Sequence, residues 1–180
     1  MTKEKKEFPW PTVGGYNLYD VMSALQKSIR RGLEDDALFW GTELFLSEYP
    51  DQAWNRLLII SSEDVGLADP SLSARIKALH DFYVHDRKSG EARLFFIHAI
   101  LTLVRAPKSR LVDHATVVYF SGPRERREMP DYALDQHTPT GKTLGRGYEH
   151  FFDVGTILVN ETGEDIYRER AKAILLKKDQ

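Results

Sequence analysis

Between Asp135 and His150 the chain gathers Asp135, His137, Thr138, Lys142, Arg146, Glu149 and His150 among the glycines Gly141, Gly145 and Gly147. Glycine lets a backbone come close to a bound molecule. Lysine and arginine hold phosphate oxygens, and an imidazole beside a substrate acts as a general base. Asp135, His137, Lys142, Arg146, Glu149 and His150 therefore form one candidate ligand or enzyme pocket. The plainer reading is a network that satisfies the polar groups of an ordered loop. The two imidazoles and scattered carboxylates match no metal-ligand spacing, so no metal is expected. Gly141-Lys142-Thr143 resembles the end of a phosphate-binding loop, but that loop needs a glycine at position 136, where Gln136 stands. No complete catalytic motif is present, and no cofactor is called for.

Two basic trios are the second chemical feature: Lys27, Arg30 and Arg31, then Arg105, Lys108 and Arg110. Each falls at the end of an expected helix, where cations complement the dipole. The alternative is a phosphate-contacting DNA patch with salt-dependent affinity. Glu63 and Asp64 are adjacent, and neighbours on an α-helix point about 100° apart. They are therefore expected to diverge and to serve a cap or turn rather than to share a site. His80, His85, His98 and His114 read as core-edge or surface residues, and the paired aromatics as core or interface.

Composition bounds the rest. With 180 residues, 42% hydrophobic and 29% charged, the chain is long enough for one domain with a sizeable core. The formal net charge of −2 gives no global field toward nucleic acid. The absence of cysteine excludes a disulfide scaffold, a thiolate zinc site and a cysteine nucleophile. The start, Met1 to Pro11, lacks the apolar core of a signal peptide, and no apolar run reaches the ~18 residues of a membrane span. A cytoplasmic location without membrane partners is the expectation.

The elements that must position these residues are helices. Residues 1–16, punctuated by Pro9, Pro11, Gly14 and Gly15, read as a flexible arm. Leu18, Val21, Met22, Leu25 and Ile29 then recur at helical steps up to Gly32. Further stripes are Ala37, Trp40, Gly41, Leu44 and Phe45; Trp54, Leu57, Leu58 and Ser61 after Pro50; Leu72, Ile76, Leu79, Phe82 and Tyr83 after Asp69-Pro70; and Leu94, Ile97, Ile100, Leu101 and Val104 before Pro107. Residues 109–120 are read as a sixth helix, although the β-branched run Thr116 to Val118 favours a strand locally. Periodicity fails from 121, leaving an ordered loop region over 121–160 and a charged helix over 161–178. A single all-α helical bundle over 17–180, with a helical core at 17–120, is expected.

Three stretches carry a family resemblance: Lys27-Ser28-Ile29-Arg30 with Ala37-Leu38-Phe39-Trp40, Ser62-Glu63-Asp64-Val65-Gly66-Leu67-Ala68-Asp69-Pro70, and Ala106-Pro107-Lys108-Ser109. In this order and spacing they resemble the C-terminal region of the replication-associated recombination AAA+ ATPases. These are the bacterial RarA/MgsA proteins and the eukaryotic Werner-helicase-interacting ATPases. The stretch from Pro130 to Phe151 is similar to a tail on some relatives. The resemblance implies a helical fold of the clamp-loader C-terminal type that serves as an oligomerisation collar, a tetramer in that family. Walker A and Walker B elements are not found in the 180 residues, so ATP hydrolysis is not carried over.

Three functions follow as expectations. The first is a stand-alone oligomerisation or adaptor domain in DNA replication or repair, paired with a separate AAA+ ATPase or replication protein. The second is a DNA-binding accessory factor using Lys27, Arg30, Arg31, Arg105, Lys108 and Arg110. The third is an enzyme or ligand-binding protein using the 135–150 loop.

Overall fold

The computed structural model describes residues 10–177, and these are all-helical, with only an isolated bridge between Pro11 and Asn17. Two compact units divide the chain, one ending at Pro123 and the other starting at Arg124. The division falls at Gly122-Pro123, where the apolar periodicity of the sequence stops.

In the first unit, α1 (Leu18–Arg31) starts where Asn17 accepts the Tyr19 N–H at 2.9 Å. It ends at Gly32, whose φ of 71° suits glycine, with the Gly32 and Leu33 N–H groups returning to Ile29 and Ser28 carbonyls. α2 (Glu34–Leu46) and α3 (Pro50–Ile60) follow, the latter with proline in its first turn. α4 (Leu72–His85) and α5 (Ala92–Arg105) complete the bundle. Leu25, Ile29, Leu44, Trp54, Leu57, Ile76 and Ile100 are wholly enclosed. Trp54 is ringed by Tyr83 and Phe96 at 5.3 and 5.4 Å between centroids. The all-α class and these stripes agree with the periodicity.

Two stripe positions differ. Phe82 and Leu94 are exposed, and on α5 the buried set is Ala92, Phe96, Ala99, Ile100, Leu103 and Val104. That helix is apolar on most sides, so periodicity alone does not select its inner face.

The first nine residues of the expected arm lie outside the described residues. Residues 10–16 are held against α2: the Gly14 N–H donates to Glu43 Oε1 at 2.7 Å and the Val13 N–H to Ser47 Oγ at 2.9 Å. Thr12 and Glu43 are buried there.

Helix α6 (Leu111–Ser121) is a helix rather than a strand, and none of its residues is buried. Only its start is anchored, on the turn at 61–68 described below.

The second unit consists of short pieces where a long loop was expected: a turn at Asp131–Ala133, α7 (Pro139–Thr143), α8 (Tyr148–His150) and a π-type turn at Phe151–Gly155. α9 is confined to Arg168–Leu176 instead of beginning at 161. Gly163 takes φ of 83°, and the Asp165 carboxylate accepts the Tyr167 N–H at 2.9 Å, so a turn precedes the helix. Position 178, at the expected end, lies outside the described residues. Arg168 ties α9 back by donating to the Phe152 carbonyl at 2.5 Å and Thr156 Oγ1 at 3.0 Å.

Gly141 is buried, and a Cβ there would collide with the Asp135 carbonyl. Gly141→Ala is therefore expected to cost this unit about 1–3 kcal/mol. Hydrogen exchange should show faster amides over 131–152 with α1 to α5 unchanged; an unaltered pattern would contradict the packing.

Candidate functional site

The charged residues of the first unit converge on a turn of π type at Ser61–Val65, which continues α3. The wider turn brings both carboxylates of Glu63 and Asp64 to the same cations, contrary to the expected divergence on an α-helix. Asp64 is wholly buried. Its Oδ1 accepts Arg30 Nε at 2.5 Å and Arg110 Nη1 at 3.0 Å, and its Oδ2 accepts Gln26 Nε2 at 2.9 Å. Glu63 Oε1 accepts Arg30 Nη2 at 3.1 Å and Arg110 Nη1 at 2.6 Å. Arg110 Nη2 also donates to Asp113 at 2.5 Å, and Arg56 Nη1 donates to Gln26 Oε1 at 3.0 Å.

Burial alone would raise the Asp64 pKa. Hydrogen bonds from Arg30, Gln26 and Arg110 outweigh it and hold the carboxyl below its ordinary range. Glu63 is likewise lowered: burial and the neighbouring Asp64 charge push up, while Gln26 and Arg110 pull down further.

The backbone follows the same logic. The Ser109 N–H donates to the Asp64 carbonyl at 2.9 Å. Lys108 Nζ caps α5 by donating to the carbonyls of Leu103, Val104 and Ala106 at 2.8, 2.9 and 2.5 Å. Its burial lowers its pKa, with the Asp64 charge opposing. Gly66 has φ of 48°, and a Cβ there would stand 2.9 Å from Val112 Cγ2. Only glycine lets the first turn of α6 seat so closely. The strings around Lys27–Arg30, Ser62–Asp69 and Ala106–Arg110 thus meet at one carboxylate.

These positions bear directly on the six cations considered for DNA. Arg30 and Arg110 spend their donors on Glu63, Asp64 and Asp113, and Lys108 spends its on carbonyls. Arg105 makes a two-pronged pair with Glu34, at 2.8 Å on each side. Arg31 donates to the Lys27 carbonyl at 3.1 Å and is exposed, as is Lys27. The structure gathers Arg30, Lys108 and Arg110 around a carboxylate pair and leaves Lys27, Arg31 and the Glu34-paired Arg105 exposed. The sequence missed Gln26, Arg56, Glu63, Asp64 and Asp113 as members of this site. The signal available was an acidic pair on an otherwise apolar stretch, facing arginines of matching number.

In the second unit, the 135–150 residues are mostly satisfied by their own loop. Arg146 pairs with Asp131 and donates to the carbonyls of Asp131 and Leu134 at 3.1 Å each. His150 Nε2 lies 3.0 Å from Asp131 Oδ2, while its buried Nδ1 has no partner among the described residues. The Asp131 carboxyl is held low by His150 first and by Arg146. Asp135 accepts the His137 N–H at 2.8 Å, which together with the His137 side chain lowers its pKa. His137 rests edge-on against Phe151, with ring centroids 4.7 Å apart. Arg146, Glu149 and His150 line an open cavity of about 380 Å³ with Gly145, Gly147 and Asp153. Asp135, His137 and Lys142 are not part of it.

Comparison with known proteins agrees with the converging strings. Residues 33–166 match the family model described as MgsA AAA+ ATPase C terminal. The chain belongs to this family. Among curated relatives, the replication-associated recombination protein A of Bacillus subtilis strain 168 is 32% identical over 163 residues, covering 86% of this chain and 38% of the relative. Its namesake in Haemophilus influenzae Rd is 35% identical over 143 residues, covering 76% of this chain and 31% of the relative. The Escherichia coli K12 protein of that name is 36% identical over 143 residues, with the same 76% and 31% coverage. The chain therefore spans well under half the length of these relatives. Among the described residues, no helix of this family member is long and apolar enough to cross a membrane.

Asp64→Ala leaves two arginines without their buried counter-charge and is expected to cost about 3–5 kcal/mol in urea unfolding. Because the folded pKa values of Glu63 and Asp64 lie below their unfolded ones, their contribution is fully present at neutral pH. It is lost as pH falls below about 4. The stability gap between the two proteins should shrink over that acid window; a gap independent of pH would contradict the ion-pair account.

Proposed function

We propose that these residues act as an assembly and adaptor module in replication-associated recombination. They associate with copies of themselves and present the resulting collar to a AAA+ ATPase or another replication protein. The observation that carries this reading is α6. Its sequence is apolar almost all round, yet Val117, Val118, Tyr119 and Phe120 are 56, 62, 68 and 87% exposed. A helix of that pattern is stable where other elements cover it. Enclosing each such side chain gains roughly 2 kcal/mol. The names of the relatives support the setting, and the family resemblance supports a tetramer. ATP-driven steps are assigned in this reading to an AAA+ ATPase module, which the family's description names beside this C-terminal region.

Direct DNA contact has less support, since Arg30, Lys108 and Arg110 are engaged inside the fold and Arg105 is paired with Glu34 at its surface. A ligand role for Asp135, His137, Lys142, Arg146, Glu149 and His150 has less still, since three of them lie outside the cavity lined by the others.

Light scattering at tens of micromolar tests the assembly. The chain is expected to run as a multimer, and Val117→Asp with Phe120→Asp to reduce it to a monomer of unchanged circular dichroism. A wild-type monomer at that concentration would overturn the proposal.

A further inference from the structure

The second unit holds a cavity of about 710 Å³ lined by the π-type turn at Phe151–Gly155, the start of α9 and the loop that joins them. That lies in the range of roughly 300–1,000 Å³ usual for small-molecule sites. The joining loop is turned at Asn160 and Gly163, which take φ of 59° and 83°. Most of the wall is apolar: Phe151, Phe152, Ile157, Leu158 and Tyr167. Phe152 is buried, whereas Ile157, Leu158 and Tyr167 are exposed and offer apolar surface to whatever enters.

Three charged side chains line the same cavity: Glu161, Asp165 and Arg168. Arg168 is already engaged with the Phe152 carbonyl and Thr156 Oγ1, and its guanidinium carbon lies 5.7 Å from the centre of the Phe152 ring. Asp165 is accounted for by the turn into α9, where it accepts the Tyr167 N–H. Glu161 has no such task, since its carboxylate makes no hydrogen bond or ion pair among the described residues. It stands well ahead of the first turn of α9, so the helix dipole does not account for it either. The Tyr167 ring likewise has no ring or cation partner. Two carboxylates against one engaged guanidinium leave the cavity net negative. A cation is attracted both by a carboxylate and by the face of an aromatic ring, and Arg168 on Phe152 already makes the second of these contacts in the wall.

We propose that this cavity binds a small organic cation, an ammonium ion carrying a hydrocarbon group, with the hydrocarbon against Ile157 and Leu158 and the charge shared by the Tyr167 ring and the Glu161 carboxylate. Asp165 adds to the attraction without leaving its turn.

Amide NMR titrations of the full chain test this. The probes are benzyltrimethylammonium, neutral benzyl alcohol and anionic phenylacetate, which share one ring and differ in charge. The cation is expected to shift the amides of residues 151–171 saturably and to bind more tightly than benzyl alcohol by roughly fivefold, with phenylacetate weakest. Glu161→Gln, which removes the unpaired charge, should weaken the cation and leave benzyl alcohol unaltered. Ala171→Trp, which fills the cavity from α9, should abolish both. Glu169→Gln, an equal charge change on a residue that does not line the cavity, should change neither, and all variants should keep the parent circular dichroism. No saturable shift with the cation, equal binding of all three probes, or equal weakening by Glu169→Gln would overturn the proposal. The mass measurements on α6 variants read the first unit, so either proposal can fail alone.

Discussion

A single carboxylate without access to water, that of Asp64, joins three parts of the first unit that are remote in sequence. Arg30 comes from α1, Asp64 from the turn after α3, and Arg110 from the entry to α6. Burying such charges is costly. An apolar cluster of equal volume would often hold the helices as firmly. What the ion pairs add is direction: a guanidinium that must meet two carboxylates at hydrogen-bond distance admits one register, whereas apolar side chains slide. The cluster thereby dictates where α6 starts and how it leaves the bundle.

The consequence is a helix held at one end and apolar along the rest. Gly66 lets Val112 approach, Asp113 adds a further bond to Arg110, and beyond that turn the side chains of α6 meet little of their own unit. An apolar surface on a rigidly aimed helix is the form expected of an interface element, since its orientation is set before a partner arrives and little ordering remains to oppose association.

Much of this architecture was legible in the residues. Gly32 and Pro50 announce helix ends by their own stereochemistry, and the α1 stripe of Leu18, Val21, Leu25 and Ile29 is the buried face. The sixth helix was legible against local strand propensity because the neighbouring sequence offers no obvious partner strand to take up its hydrogen bonds. α5 was less so: with Leu94, Phe95, Phe96 and Ile97 in succession, several faces are equally apolar, and only its neighbours select the one containing Phe96 and Leu103. The candidate site was half visible. Arg30, Lys108 and Arg110 stood out by type, but their partners did not. The reading of Glu63 and Asp64 assumed α-helical geometry, and a turn of wider pitch changed which way they point. In the second unit, Asp131 organises Arg146 and His150 from a position that sequence spacing gives no reason to single out.

The claim at the centre of this account is that Asp64 aims α6 at another subunit. Hydrogen exchange followed over a range of protein concentrations tests it most directly. The amides of residues 115–121 are expected to be protected in concentrated solution and to lose that protection on dilution, while those of α1 to α5 stay slow throughout. Rapid exchange of 115–121 at every concentration would contradict it.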